Sequence, residues 1–293
     1  MAIIKTLGLI GDMVNAVDDV ADFVDDAADA ADDISDSISD IEDDVDDIID
    51  EFDDDDDNGK DDKKNKNKDK ATNKDDDLFG NSKNNKINGQ GGDDKIEGRG
   101  GNDNLIGGSG NDELFGQDGN DQLSGQNGDD LLEGQNGNDL LFGGSGKDLL
   151  RGGNSDDRLV GENGNDALFG DAGRDQLDGG AGDDDVFGGA GDDFVYGGAG
   201  KDLVFGGKNG RDTLQGGDGK DIFGTKRKSG LDVVLDYVDG VDRIGLAKGL
   251  KFNNLTFEDQ VGGCLIRAGS DQLLFVNGAT ASLFKPNDII LEK

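Results

Sequence analysis

A nine-residue unit, G-G-x-G-x-D-x-U-x with U a large aliphatic residue, recurs in register between residues 71 and 224. The clearest run starts with GGSGNDELF (107–115) and continues as GQDGNDQLS, GQNGDDLLE, GQNGNDLLF and GGSGKDLLR. About sixteen copies follow one another. Those at 71–79 and 80–88 are eroded, GGKNGRDTLQ (206–215) carries one extra residue, and GGDGKDIFG (216–224) is the last. Self-similarity at so short a period demands a stack, in which each unit buries its apolar side only against its neighbours.

Each position of the unit has a physical role. Glycines allow backbone angles closed to other residues and so permit a tight turn. The aspartate puts a carboxylate on that turn. The closing x-U-x is a three-residue strand, with U pointing inward and its neighbours outward. Two units complete a coil of eighteen residues, and stacked coils give two parallel sheets with aliphatic ladders between them. The inward residues include Leu105, Leu114, Leu123, Leu132, Leu141, Leu150, Leu159, Leu168, Leu177, Val186, Val195, Val204 and Leu214. The expected fold class is mainly β: a right-handed, two-sheet parallel β-roll with an N-terminal acidic α-helix and a C-terminal β cap.

Composition then asks for a cation. The chain carries 67 acidic and 29 basic side chains, a net charge of −38, and only 32% hydrophobic residues. Such a chain stays disordered unless positive charge completes it. Turns eighteen residues apart lie about 4.8 Å apart, so Asp112 faces Asp130 and Asp121 faces Asp139. Carboxylates that close resist joint ionisation. With turn carbonyls beside them, they suit a hard cation taking six or more oxygens, which is Ca²⁺; Mg²⁺ keeps its water and demands an octahedron. Nucleic acid is excluded as a partner, since both surfaces are anionic.

The array resembles the RTX (hemolysin-type) family of secreted calcium-binding repeat proteins. The resemblance implies a β-roll holding multiple Ca²⁺ ions between successive turns, ligated by the repeat aspartate and turn carbonyls. It also implies type I export through an uncleaved C-terminal signal, to the cell surface or the medium. Carried over position by position, the metal ligands are Asp94, Asp103, Asp112, Asp121, Asp130, Asp139, Asp148, Asp157, Asp166, Asp175, Asp184, Asp193, Asp202, Asp212 and Asp221. Departures fall at Lys83, Asn85 and Ser155, and the extra residue in 206–215 is expected to shift the register of the last turns.

The flanks differ in composition. In 1–57, Val17, Val20, Val24, Ala27, Ala31, Ile34, Ile38, Ile41, Val45, Ile48 and Phe52 form a seam spaced three and four apart, the pattern of an acidic amphipathic helix that pairs with itself or with a protein partner. Its acidic face argues against anionic membranes. Residues 58–70 read as a charged linker. Asp54, Asp56, Asn58 and Gly59 match the start of an EF-hand loop, but Asn65 stands where a bidentate glutamate belongs. Residues 225–293 read as a capping and secretion segment. Strands near Asp271–Val276 and Asp288–Leu291 are expected to close the stack, and Asp232, Asp236, Asp239 and Asp242 are candidates to prolong the ladder.

No catalytic constellation is visible. The chain has no histidine, which removes Ser-His-Asp and Cys-His catalysis and HExxH zinc sites. Cys264 cannot pair internally and sits in an apolar run, as a buried thiol would. There is no GxSxG motif, and the Gly-Lys pairs are followed by Asp rather than Ser or Thr. No cofactor site is indicated and an enzyme is not expected. No run of eighteen apolar residues suggests a membrane span, and MAIIKTLGLIGDMVNAV lacks the features of a cleavable signal peptide. Two readings follow: a calcium-stiffened extracellular structural or interaction protein, or a small toxin or bacteriocin acting on membranes through residues 1–57. At position nine, Phe169, Phe187 and Phe205 recur every eighteen residues on one outer face. They form either a cross-strand ladder or a contact surface for the cap or a second protomer.

Overall fold

The computed structural model describes residues 71–225, 230–246, 250–285 and 288–291. The helix expected in 1–57, the linker 58–70 and the EF-hand-like loop lie outside them.

Among the described residues, successive strands of the array alternate between two sheets of 11 and 12 strands. The first begins at Asp77–Phe79, passes through Lys95–Gly100, Glu113–Asp118 and every second strand after them, and ends at Ile222–Thr225, Arg243–Leu246 and Ile289–Leu291. The second begins at Lys86–Asn88 and reaches Asp232–Val234 by the same alternation. Pairing within the array is parallel and repeats every coil. Leu114 lies beside Leu132 and then Leu150 in one sheet, and Leu105 beside Leu123 and then Leu141 in the other. This is the expected β-roll.

All thirteen inward aliphatics are at most 1% exposed. Each such burial contributes about 1.5–3 kcal/mol, and their sum is the apolar support of the roll. The column is longer than the repeat alone defines, because Leu78, Ile96, Phe223, Val234 and Ile244 join it at the two ends.

The strands differ from the three-residue expectation: Glu113–Asp118 and its equivalents run to six residues, x-U-x-G-G-x. The register that stacks U on U also stacks the following glycines, so inter-coil hydrogen bonding continues past the aliphatic residue. Position four explains the need for glycine. Gly128 has φ +137°, and a Cβ there would fall 1.7 Å from the Gly110 carbonyl oxygen of the coil before. The extra residue in 206–215 does not break the register. Asn209 takes it up in a left-handed turn (φ 61°), and Phe194 still pairs with Thr213.

The cap is an antiparallel meander of Leu255–Gln260, Gly263–Ala268 and Asp271–Asn277, joined in parallel to Asp232–Val234. A chain of rings links it to the core, with Phe223, Tyr237, Phe284, Phe257 and Phe252 at successive centroid distances of 6.5, 5.5, 5.3 and 5.6 Å. Cys264 is fully buried, and burial pushes its thiol up to about 11, which leaves it protonated and inert. On the outer face, the Phe169 and Phe187 rings stack at 5.1 Å and 7°, and Phe205 follows at 6.2 Å. Phe205 leans over Gly224, where a Cβ would fall 2.1 Å from the ring. The three rings therefore make a ladder along the sheet.

Candidate metal centre

The fifteen repeat aspartates stand in two columns, one at each edge between the sheets, and each is at most 3% exposed. Every Oδ1 accepts the backbone N–H of the residue at the same position in the preceding coil. In one column Asp94 N–H donates to Asp112 (2.8 Å), Asp112 to Asp130 (2.8 Å) and Asp130 to Asp148 (2.9 Å), and the chain continues through Asp166, Asp184 and Asp202 to Asp221. In the other, Asp103 donates to Asp121, and the chain passes Asp139, Asp157, Asp175 and Asp193 to Asp212.

The second oxygen behaves differently. Oδ2 of all fifteen is buried and accepts no hydrogen bond. A buried carboxylate oxygen without a partner costs roughly 1–3 kcal/mol or more, and here the defect recurs in every coil. Each Oδ2 faces a glycine at position one, and at eleven of the fifteen a carbonyl of the following coil is turned to the same spot. A Cβ at Gly116 would fall 2.4 Å from Asp121 Oδ2 and 3.0 Å from the Gly134 oxygen. At Gly143 the corresponding values are 2.4 Å to Asp148 Oδ2 and 2.9 Å to the Gly161 oxygen. Among the described residues no three acidic, cysteine or histidine side chains converge on one point, so any cation here draws on carboxylate and carbonyl oxygens together. A hard, all-oxygen donor set fits Ca²⁺ and offers nothing to metals that need nitrogen or sulfur.

Burial, more than mutual repulsion, sets the protonation of the column. It raises Asp157 to about 8 and Asp112, Asp139, Asp148, Asp175, Asp184, Asp193 and Asp202 to about 7. Asp121, Asp130, Asp166 and Asp221 rise to about 6 for the same reason, and Asp94, Asp103 and Asp212 also rise. Facing carboxylates add to this; for Asp112 they are Asp130 and Asp94. The ladder hydrogen bond opposes the rise. Sequence reasoning placed repulsion first. Removal from water is the larger effect, because the turn closes over the carboxylate.

A second ladder at position five escaped the sequence reading. Asn111 N–H donates to Asp93 Oδ1 (2.8 Å), Asp129 N–H to Asn111 Oδ1 (3.0 Å) and Lys147 N–H to Asp129 Oδ1 (2.7 Å). Here the side chain reaches forward to the next coil, opposite to the buried column. Frequent Asn or Asp just before the repeat aspartate was its signal. Where Arg174 or Lys201 takes this position, each reaches back to an acid of the preceding coil, Asp156 at 3.5 Å or Asp183 at 3.6 Å.

The departures also resolve. Ser155 adopts the glycine conformation (φ 88°). The Asn85 amide donates to Asp103 Oδ1 (3.0 Å) and to the Lys83 carbonyl, which makes it a donor facing the column. Beyond the array, Asp232 and Asp242 continue the ladder, accepting from Asp212 (3.3 Å) and Asp221 (3.1 Å). Asp242 Oδ2 also accepts Val238 N–H at 2.7 Å. Asp236 instead caps the last coil, one oxygen each to Gly216 and Gly217 N–H at 2.9 Å, and Asp239 lies at the surface.

An oxygen-lined cradle repeated up a two-sheet parallel solenoid defines a cation-binding β-roll. The family described as RTX calcium-binding nonapeptide repeat matches at residues 71–105, 98–132, 106–141, 142–177, 151–186, 178–209 and 207–224. These matches run through more than half of the chain, and the chain belongs to that family. It binds multiple Ca²⁺ ions. Among solved structures, the extracellular lipase LipA from Serratia marcescens is similar over 73% of this chain, with 15% identity and a TM-score of 0.24. The match spans 40% of the lipase chain. No curated protein matches.

Proposed function

We propose that this chain is a secreted calcium-gated rod with a structural or surface-interaction role and no catalytic activity of its own. On this reading Asp94 through Asp221, the fifteen buried aspartates of the two columns, supply one Oδ2 each to Ca²⁺. That Oδ2 lacks a hydrogen bond at every one of them carries the proposal. Export follows the type I route typical of RTX repeat proteins, and residues 1–57 supply the contact to a partner or to a second copy. With Ca²⁺ at ten times a site's dissociation constant, each site adds about 1.4 kcal/mol to folding. A dozen sites then give roughly 17 kcal/mol, above the net stability of an ordinary domain. In the cytosol that contribution disappears, which keeps the chain unfolded for export.

Circular dichroism at neutral pH tests the gate. The protein should lack β signal in excess chelator and gain it cooperatively in millimolar Ca²⁺. The same β signal in both conditions would remove the proposal.

A further inference from the structure

Among the described residues the two aspartate columns end at the first coil, residues 71–88, and there protein donors meet them. In one column Asp76 holds position six. Its Oδ2 is satisfied, unlike that of the fifteen, by the Thr72 N–H at 2.7 Å and the Thr72 hydroxyl at 2.8 Å. In the other column Asn85 holds position six. Its backbone N–H keeps the ladder and donates to Asp103 Oδ1 at 2.7 Å. The cradle is also kept: a Cβ at Gly80 would fall against the Gly98 oxygen of the following coil and 3.2 Å from the Asn85 amide carbon. The polar atoms differ. Asn85 Nδ2 donates to the Asn81 carbonyl (3.1 Å), to the Lys83 carbonyl and to Asp103 Oδ1 (3.0 Å). Two turn carbonyls, from positions two and four, and a column carboxylate make an oxygen set of the kind Ca²⁺ takes. Asn85 Oδ1 accepts Asn81 Nδ2 at 3.0 Å, which replaces the N–H that each inner Oδ1 receives from the coil before it.

We propose that the Asn85 amide takes the place of Ca²⁺ at the N-terminal end of its column, so that this cradle closes without metal. The inference rests on the reading of the columns as ion sites. A primary amide brings two N–H donors and no charge. It answers the oxygens that an ion would otherwise gather, and it sets a donor nitrogen where an inner coil offers Oδ2. The carboxylate charge that favours Ca²⁺ is gone. Lys83 adds a positive charge at position four, as Lys74 does in the other column. Neither lysine takes the left-handed conformation that glycine holds there in the inner coils, such as Gly110 and Gly119. A repeat stack needs end units unlike its inner ones, and here the end is made by exchanging an ion for a hydrogen-bond donor.

Native mass spectrometry of the full-length protein in saturating Ca²⁺ counts the bound ions, with circular dichroism to show that each variant is folded. Asn85→Asp supplies an Oδ2 to a cradle already in place and should bind one ion more than the wild type. Asn85→Ala supplies neither donor nor ligand. It should bind the wild-type number, while hydrogen exchange in Ca²⁺ shows the amides of 80–88 opening faster. Asp121→Asn, the reverse exchange at an inner coil, should bind one ion fewer. A loss in Asp121→Asn with no gain in Asn85→Asp overturns this proposal alone. So does an ion lost by Asn85→Ala, which would make Asn85 a ligand. No loss in Asp121→Asn overturns the ion reading of the columns and this proposal with it.

Discussion

Acid should substitute for metal in folding this chain. Twelve column aspartates titrate at about 6 to 8 in the metal-free fold against 3.8 when unperturbed. Because the folded values are the higher ones, the fold binds more protons than the unfolded chain between them. Stability is therefore fullest below about pH 4 and is lost as pH rises through 6 to 8. Each pH unit costs about 1.4 kcal/mol per group, so a carboxyl at about 7 costs the fold roughly 4 kcal/mol at pH 7.5. The twelve groups act in the same direction, so together they oppose folding of the metal-free chain at neutral pH by an amount comparable to the roughly 5–15 kcal/mol net stability of an ordinary domain. At about pH 4.5, still above the isoelectric point of about 4.1, most of the cost is gone. Calcium-stripped protein should thus show no β signal by circular dichroism at pH 7.5 and acquire it on acidification to pH 4.5. Calcium binding at neutral pH should release protons, measurable by titration in weakly buffered solution. A metal-free chain that is folded at pH 8, or one that gains no β structure in acid, would refute the argument from burial.

Asp157→Asn keeps the Oδ1 acceptor for Asp139 N–H but removes the charge. It should ease acid-free folding in chelator by a few kcal/mol while raising the calcium needed for full folding. Asp157→Ala, which also strands that buried N–H, should be worse than Asn by about 1–3 kcal/mol in Ca²⁺; calcium titrations followed by circular dichroism rank the two. Removing 225–293 takes away the Asp236 cap and the ring chain that closes the core. It should shift the calcium midpoint much further than removing 1–70, and equal midpoints would reject the capping role. Phe187→Ser deletes one ring of a ladder, so thermal unfolding in Ca²⁺ should lose about 0.5–1.5 kcal/mol with no change of mass in light scattering.

The repeat by itself determined much of this protein. A unit with one aliphatic and one aspartate at fixed offsets has only one way to bury the first and stack the second. Hence Leu105 through Leu214 and all fifteen aspartates could be placed from sequence, and the structure sets them at the core and the turn edges. What it could not show is which force governs the carboxylates, because burial depends on how tightly the turn closes, and no single unit contains its own roof. The forward-reaching ladder at Asp93, Asn111 and Asp129 needed the stack as well, since its donors belong to other coils. So did the absorption of the extra residue at Asn209, which turns on one left-handed residue rather than on pattern. In the cap the periodicity stops. There, aspartates of identical type take different tasks: Asp232 and Asp242 prolong the ladder, Asp236 closes a coil, and Asp239 faces water. Only tertiary placement separates them, because outside a repeat nothing in the chain fixes which backbone amide a carboxylate will meet.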